Sequence, residues 1–190
     1  MLASGRGSNL QSIIDAIESK HLCASIACVV SDKADSLALV RAAKHAIEAI
    51  FVDPKAFSSR DSFERNVAGL LKARNVDLVV LAGYMKIVGA PLLEAFPDAI
   101  INIHPTLLPK FAGCMGIKCH QAVLDAKETE SGCTVHLVSA QVDAGAVIAS
   151  ARVPVKPEDT AETLAERVLA EEHRLLPEVV KMISEGKKGC

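Results

Sequence analysis

Over the first hundred residues, continuous apolar runs rich in β-branched side chains alternate with segments of 3.6-residue period. That alternation constrains the fold more than any other feature. Ala24 to Val30, Ala46 to Val52, Leu78 to Ala82 and Ala99 to Ile103 read as buried strands. Helical stretches lie between them, at about Leu10 to Ser19, Leu37 to His45, Arg60 to Arg74 and Pro91 to Phe96. Short connections between alternating strands and helices imply a Rossmann-like α/β fold, with a mostly parallel central sheet and helices on both faces. Apolar strands without polar alternation agree, because a sheet covered on both faces has no wet side. After residue 105 the pattern changes. A Gly- and Pro-containing loop runs to about Lys118, a short helix starts at His120, and Cys133 to Val138 and Ala146 to Val155 suggest antiparallel additions in the C-terminal third. A long last helix is expected near Thr160, capped by Asp159-Thr-Ala-Glu162 and kinked or interrupted at Pro177. Only Met1, Leu2 and Ala3 are left for the strand that feeds the first glycine turn.

Composition excludes several classes. The chain has 190 residues, 50% hydrophobic, with a net charge of -2, which suits one compact domain and excludes a disordered one. With 21 Lys+Arg against 23 Asp+Glu, nothing is left over to neutralise nucleic-acid phosphates. No Trp, one Tyr and five Phe leave no base-stacking platform. Apolar runs such as Leu78 to Met85 fall far short of the ~20 residues that cross a bilayer, so no membrane association is expected. The opening residues turn polar too early for a signal peptide, so the expected location is cytoplasmic. In that compartment Cys23, Cys28, Cys114, Cys119, Cys133 and Cys190 read as reduced thiols. Cys114-x4-Cys119-His120 lacks the second ligand pair that zinc sites usually show, so no metal is expected.

Two segments carry chemistry. Ser4-Gly-Arg-Gly-Ser-Asn9 stands immediately before a helix, where a glycine turn aims backbone N–H groups at an anion. It is neither a Walker A loop nor a full dinucleotide fingerprint, and the same residues also suit a plain capped strand–helix turn. Ile101-Asn-Ile-His-Pro-Thr-Leu-Leu-Pro109 closes a core strand at its C-terminal end, where open α/β sheets bind ligands. Asn102 and His104, two apart, point to one face. Asn supplies a donor to a developing oxyanion and His moves a proton near neutral pH, although a histidine satisfied at a strand end looks the same in sequence.

The chain resembles the phosphoribosylglycinamide formyltransferases, the folate-dependent transformylases of purine synthesis. The resemblance is carried by the Ser-Gly-x-Gly-Ser-Asn-Leu opening, Leu81-Ala-Gly-Tyr-Met-Lys-Ile87, the Asn102 to Pro109 run, Ser131-Gly-Cys-Thr-Val-His136, Val142-Asp-Ala-Gly145 and Ala170-Glu-Glu-His173. It implies one formyltransferase domain over 1–190, with a nucleotide-binding half at 1–104 and a folate and catalytic half at 105–190. It implies that Asn102, His104 and Asp143 are the catalytic trio, moving a formyl group from 10-formyltetrahydrofolate to the amine of 5-phosphoribosylglycinamide without a metal. Asp143 would orient His104 and favour its charged form. Gly7, Ser8 and Asn9 would take the ribonucleotide phosphate, and Glu172 the ribose or glycinamide end. The folate would lie against Arg60, Met85, Lys86, Ile87, Val88, Asn102, Ser139, Ala140, Gln141, Val142 and Asp143. Small molecules are then the only partners implied, for a monomer or homodimer.

Departures from the family pattern fall mainly in Phe111 to Lys118, which differs from the usual histidine-containing loop and is longer. Thr106 replaces a Ser and Lys86 an Arg, each keeping the donor or the charge. His21, His45, His136 and His173 read as structural. A transfer-RNA formyltransferase would add a barrel domain and a hydrolase an N-terminal regulatory one, and neither is expected here. A non-catalytic folate- or nucleotide-binding module is the alternative from another class, and binding alone would not need Asn102, His104 and Asp143 together.

Overall fold

The computed structural model describes residues 1–186, so Cys190 lies outside it. The chain divides into two compact units, Met1–Asn102 and Ile103–Cys190.

In the first unit α1 (Ser8–Glu18), β1 (Val29–Ser31), α2 (Leu37–Lys44), β2 (Ala49–Phe51), α3 (Arg60–Lys72), β3 (Val79–Leu81) and α4 (Ala90–Ala95) alternate up to β4 (Ile100–His104), which runs across the boundary. The strands are parallel: Val30 is in register with Ile50, and Val80 with Ile101. Leu2 bridges Val30 on one side and Leu81 on the other, both in parallel. Its N–H donates to Val80 at 2.9 Å, and that of Ala3 to Val30 at 3.1 Å. The short N-terminal segment therefore fills the sheet position between β1 and β3, and pairing on both sides stands in for length. Ala24 to Val30 is a strand only from Val29 onward. Ser25 and Ala27 are exposed, and the partner register begins at Val29 opposite Ala49. Side-chain caps fix two helix starts: Ser36 accepts from Ala38 N–H, and Ser59 with Ser62 forms a reciprocal box.

The second unit holds α5 (Ile117–Asp125), β5 (Glu130–Leu137), β6 (Val147–Pro154) and α6 (Ala161–Gly186). β5 and β6 pair antiparallel, Cys133 opposite Ala151, with an irregularity between Val135 and His136. α6 packs on both strands, burying Leu164, Val168, Leu175, Leu176 and Val179. It is not interrupted at Pro177. A proline inside a helix costs about 3 kcal/mol, and the buried Leu176 and Val179 beside it offset that at about 1.5–3 kcal/mol each. The capping box is Thr160 with Thr163, not Asp159 with Glu162. The Asp159 carboxylate instead accepts from Lys156 N–H at 2.7 Å and from Arg167 at 2.6 Å. α5 begins at Ile117, ahead of the expected His120.

The cysteines need one correction. Cys114 and Cys119 are joined in a disulfide, their Cα atoms 5.3 Å apart, while Cys23, Cys28 and Cys133 are free. Gly113 and Gly116 take φ of 78° and 59° between and beside them. Those left-handed turns fold the loop back on the start of α5 and bring the two Cα atoms within bridging distance.

Candidate active site

His104 ends β4 and is buried. The turn that follows it is anchored on β5. Thr134 Oγ1 donates to the Thr106 carbonyl at 2.8 Å and accepts from Leu108 N–H at 3.1 Å, while Thr106 Oγ1 donates to the Lys110 carbonyl at 3.1 Å. His104 Nδ1 lies 3.3 Å from Asp143 Oδ2, and Nε2 lies 3.3 Å from the Phe111 carbonyl oxygen. The other oxygen of Asp143 faces His136 Nε2 at 3.5 Å. Gly113 N–H donates to Asp143 Oδ2 at 2.8 Å. One carboxylate thus serves two imidazoles and a backbone amide. Asp143 itself takes φ of 52°, a left-handed conformation that Asp tolerates better than most residues. Gly145, two residues on, passes so close to the Leu137 carbonyl that a Cβ would overlap it. That contact ties the Asp143 turn to the end of β5.

Electrostatics set the protonation states. Burial pushes the His104 imidazole below its ordinary value, and the nearby Asp143 charge and the Phe111 carbonyl only partly offset this. His104 is therefore neutral at pH 7: Asp143 favours the charged form, as expected, but burial is the larger effect. For Asp143 burial works against the charge, but hydrogen bonds from His136 and Gly113 and the neighbouring His104 win, and its carboxyl titrates below the usual range. A base that is neutral beside a permanent anion can accept a proton and have the resulting cation stabilised at once.

His120 is pushed down as well, by burial and then by His104. Both histidines titrate in the unfolded chain near 6.5 and lower in the folded one. Stability is therefore complete above that value and is lost as pH falls through it toward the folded values. The urea midpoint should fall steadily between pH 7.5 and pH 5.5. A midpoint that rises over that range would contradict the assignment.

In the first unit the glycine turn packs closely against α2. Gly7 precedes α1 with φ of 69° and no side-chain cap, and a Cβ there would lie 2.7 Å from Ala38 Cα. Ala38 N–H and Ser36 Oγ both donate to the Gly5 carbonyl, at 3.1 and 3.0 Å, clamping the turn onto α2. Gly7→Val should therefore damage the fold, not a ligand contact alone, and lower the thermal midpoint. Ser8 is half-buried and Asn9 buried at the helix start, where first-turn amides point out of the helix end.

The segment 83–89 is held from below. Ser4 Oγ donates to Asp32 Oδ1 at 2.6 Å and accepts from Met85 N–H at 2.9 Å, while Lys86 lies 3.9 Å from Asp32. Arg60 pairs with the buried Glu64 at 2.9 Å and donates to the Ile87 carbonyl, and both Glu64 oxygens accept from Gly89 N–H. Met85 and Ile87 stand exposed, whereas Val88 belongs to the core. Asn102 is opposite Leu81 in the β3–β4 register, one alternation before His104. In the second unit Ser139 Oγ donates to the Gln141 carbonyl at 2.9 Å, Ala140, Gln141 and Val142 are exposed, and Glu172 is buried on α6. Glu172 also adds to the burial that pushes the Cys133 thiol up to about 12.

Three residues to which the sequence gives no such role shape these sites. His136, read as structural, touches the carboxylate of Asp143. Ser4 opens the glycine-turn motif, but it and Glu64 act through partners far away in sequence that no local pattern marks.

A parallel α/β sheet, a glycine turn at a helix start and a strand-end imidazole paired with a carboxylate define an enzyme of the group-transfer class. The chain belongs to the formyl transferase family, whose match spans residues 1–180. It is 43% identical over 188 residues to the phosphoribosylglycinamide formyltransferase of Haemophilus influenzae, covering 98% of this chain and 87% of that protein. It is 42% identical to the trifunctional purine biosynthetic protein adenosine-3 of Drosophila pseudoobscura pseudoobscura, with 98% of this chain matching 14% of that protein. The crystal structure of glycinamide ribonucleotide transformylase 1 from Symbiobacterium toebii superposes with a TM-score of 0.94 at 45% identity, over 97% of this chain and 86% of that one. Among the described residues no helix is long and apolar enough to cross a membrane.

Proposed function

We propose that this chain transfers the formyl group of 10-formyltetrahydrofolate to the primary amine of 5-phosphoribosylglycinamide, yielding formylglycinamide ribonucleotide and tetrahydrofolate in purine synthesis. The observation that carries the reading is the buried imidazole of His104 held against the Asp143 carboxylate at 3.3 Å, in a chain 43% identical to a phosphoribosylglycinamide formyltransferase.

The amine nitrogen attacks the formyl carbon, and the carbonyl electron pair moves to oxygen. The tetrahedral oxyanion then collapses and expels N10 of the folate. One proton must leave the attacking nitrogen and one must reach the departing one. His104 takes up and returns that proton, and Asp143 stabilises the imidazolium while it lasts. The Asn102 amide donates to the oxyanion, a contact that strengthens as charge develops. Gly7, Ser8 and Asn9 hold the phosphate at the start of α1, and Glu172 takes the ribose or glycinamide end. Exposed Met85 and Ile87 suit the flat face of a pteridine. Val88, Lys86, Arg60 and the 139–143 segment complete the folate side, with Arg60 and Glu64 setting the 87–89 backbone.

Ser8→Ala removes one hydrogen bond to a charged group, worth roughly 1.5–3 kcal/mol, a loss of about 10- to 150-fold in ribonucleotide affinity. Calorimetry should show that loss with folate affinity unchanged. Ribonucleotide affinity equal to wild type would move the phosphate elsewhere.

The function itself is tested by incubating the purified chain with 10-formyltetrahydrofolate and following tetrahydrofolate release with different amines. Release should require 5-phosphoribosylglycinamide and fail with glycinamide lacking the phosphoribosyl group. Equal release with either amine, or none with both, would overturn the proposal.

A further inference from the structure

Beside His104 lie two sulfurs that the transfer does not use. Cys114 Sγ is 3.8 Å from His104 Nε2, and one donor atom from each of His104, Cys114 and Cys119 falls within 4.8 Å of the other two. Cys119 and His104 are buried and Cys114 half-buried, so the cluster is shielded but has an opening on the Cys114 side. The sequence offered Cys114 and Cys119 without a second ligand pair. The fold brings a third donor from the end of β4, in the same unit.

We infer that, once the Cys114–Cys119 bond is reduced, the two sulfurs and His104 Nε2 form a binding site for a soft divalent cation of the zinc type, and that its occupation blocks the imidazole. The blocking half rests on the role given to His104 above; the binding half does not. Zinc takes thiolate at about 2.3 Å and imidazole at about 2.0–2.1 Å, so a tetrahedral site has a sulfur–nitrogen edge of about 3.6 Å. The observed 3.8 Å is within a small side-chain adjustment of that edge. The second shell is also in place. Asp143 Oδ2, 3.3 Å from Nδ1, is set to accept the Nδ1–H, which turns the Nε2 lone pair toward Cys114; the Phe111 carbonyl, 3.3 Å from Nε2, has to give way when a metal enters. Carboxylate–histidine pairs orient zinc ligands in this way.

The chemistry balances with a dithiol reductant. Thiol–disulfide exchange passes two electrons and two protons to the Cys114–Cys119 bond, and the reductant leaves as its own disulfide. Cation binding then releases the two thiol protons. In the oxidised chain neither Cys114 nor Cys119 can offer a thiolate, so the disulfide state keeps His104 available for transfer, while the reduced state makes transfer sensitive to the metal.

The test uses the full chain, reduced with a phosphine that is then removed, and titrated with cobalt(II) under anaerobic conditions. Binding should give the near-ultraviolet sulfur-to-cobalt charge-transfer band and the visible bands of tetrahedral cobalt, displaced by one equivalent of zinc. The oxidised chain should give neither band. Cys114→Ser, Cys119→Ser and His104→Ala should each weaken cobalt binding at least ~10-fold, and Cys23→Ser, at an exposed free cysteine, should not. Cys114 is half-buried, so its variant remains informative if Cys119→Ser fails to fold. Zinc should inhibit formyl transfer by the reduced wild type, reversibly with a chelator, and spare Cys114→Ser. No cobalt bands in the reduced chain, or bands that persist in Cys114→Ser and His104→Ala, would overturn the site. Stoichiometric zinc without inhibition would overturn the blocking. If formyl transfer is absent altogether, the cobalt spectrum still decides the binding.

Discussion

His104→Ala lowers the rate of formyl transfer by at least ~10²-fold, the lower end of what a positioned proton-transfer group contributes. Affinity for the ribonucleotide stays within a few-fold, because the turn before α1 is untouched. The reason lies in the surroundings of the ring. His104 is neutral through burial, yet its two nitrogens face a carboxylate and a carbonyl, each 3.3 Å away. Both acceptors favour the imidazolium, so the ring can take a proton transiently without carrying one at rest. An alanine leaves Asp143 with His136 and the Gly113 amide as partners, which keeps the loop in place but supplies no base at the end of β4. The check is kcat and KM of a variant whose circular dichroism and melting curve match wild type. Turnover near that of wild type in such a protein would remove His104 from the mechanism.

Asp143→Asn has the second large effect, a fall in kcat of at least ~10-fold together with a further lowering of the His104 pKa. The amide can still accept from Gly113 N–H, so the turn keeps its shape. The negative charge that opposes the effect of burial on His104 is gone, however, and the imidazolium becomes harder to form. The sign is definite. With Asp143 the His104 pKa lies below 6.5, and without it lower still, so the acid limb of the kcat profile moves to lower pH. NMR titration of the ring protons reads the same change independently of turnover. An unshifted ring titration in the variant would show that the two groups are not coupled.

Much of this is legible in the sequence alone. Apolar runs around Val29, Val80 and Ile101 announce a parallel sheet, because strands covered on both faces must be apolar throughout; the run around Ile50 forms a parallel strand too, but not the buried one expected, since Ala49 and Phe51 are exposed. Gly7 and the Asn102 to Pro109 run were legible because turn and strand-end chemistry is local. What stayed hidden depends on partners distant in sequence. Ser4 matters through Asp32 and the Met85 amide, Glu64 through Arg60 and Gly89, and no window of neighbouring residues contains those contacts. His136 reads as structural because a histidine in a strand gives no sign of the carboxylate it will meet. The Cys114–Cys119 pair was missed for a related reason. Its closure depends on left-handed turns at Gly113 and Gly116, and its closeness to His104 on the path of the whole loop. The effect of Asp143 on His104 is legible with its right sign, but the depth of the strand end is not, and burial is the larger effect.

The most direct measurement follows the formyl carbon. The wild-type chain is mixed with 10-formyltetrahydrofolate carrying ¹³C in the formyl group and with 5-phosphoribosylglycinamide, and the products are read by carbon NMR. The label should move into the formamide of the ribonucleotide in step with tetrahydrofolate release, and should do so far more slowly with His104→Ala. Label recovered as free formate would make the chain a hydrolase, and label that remains on the folate would make it a binding module. Either result would contradict the account.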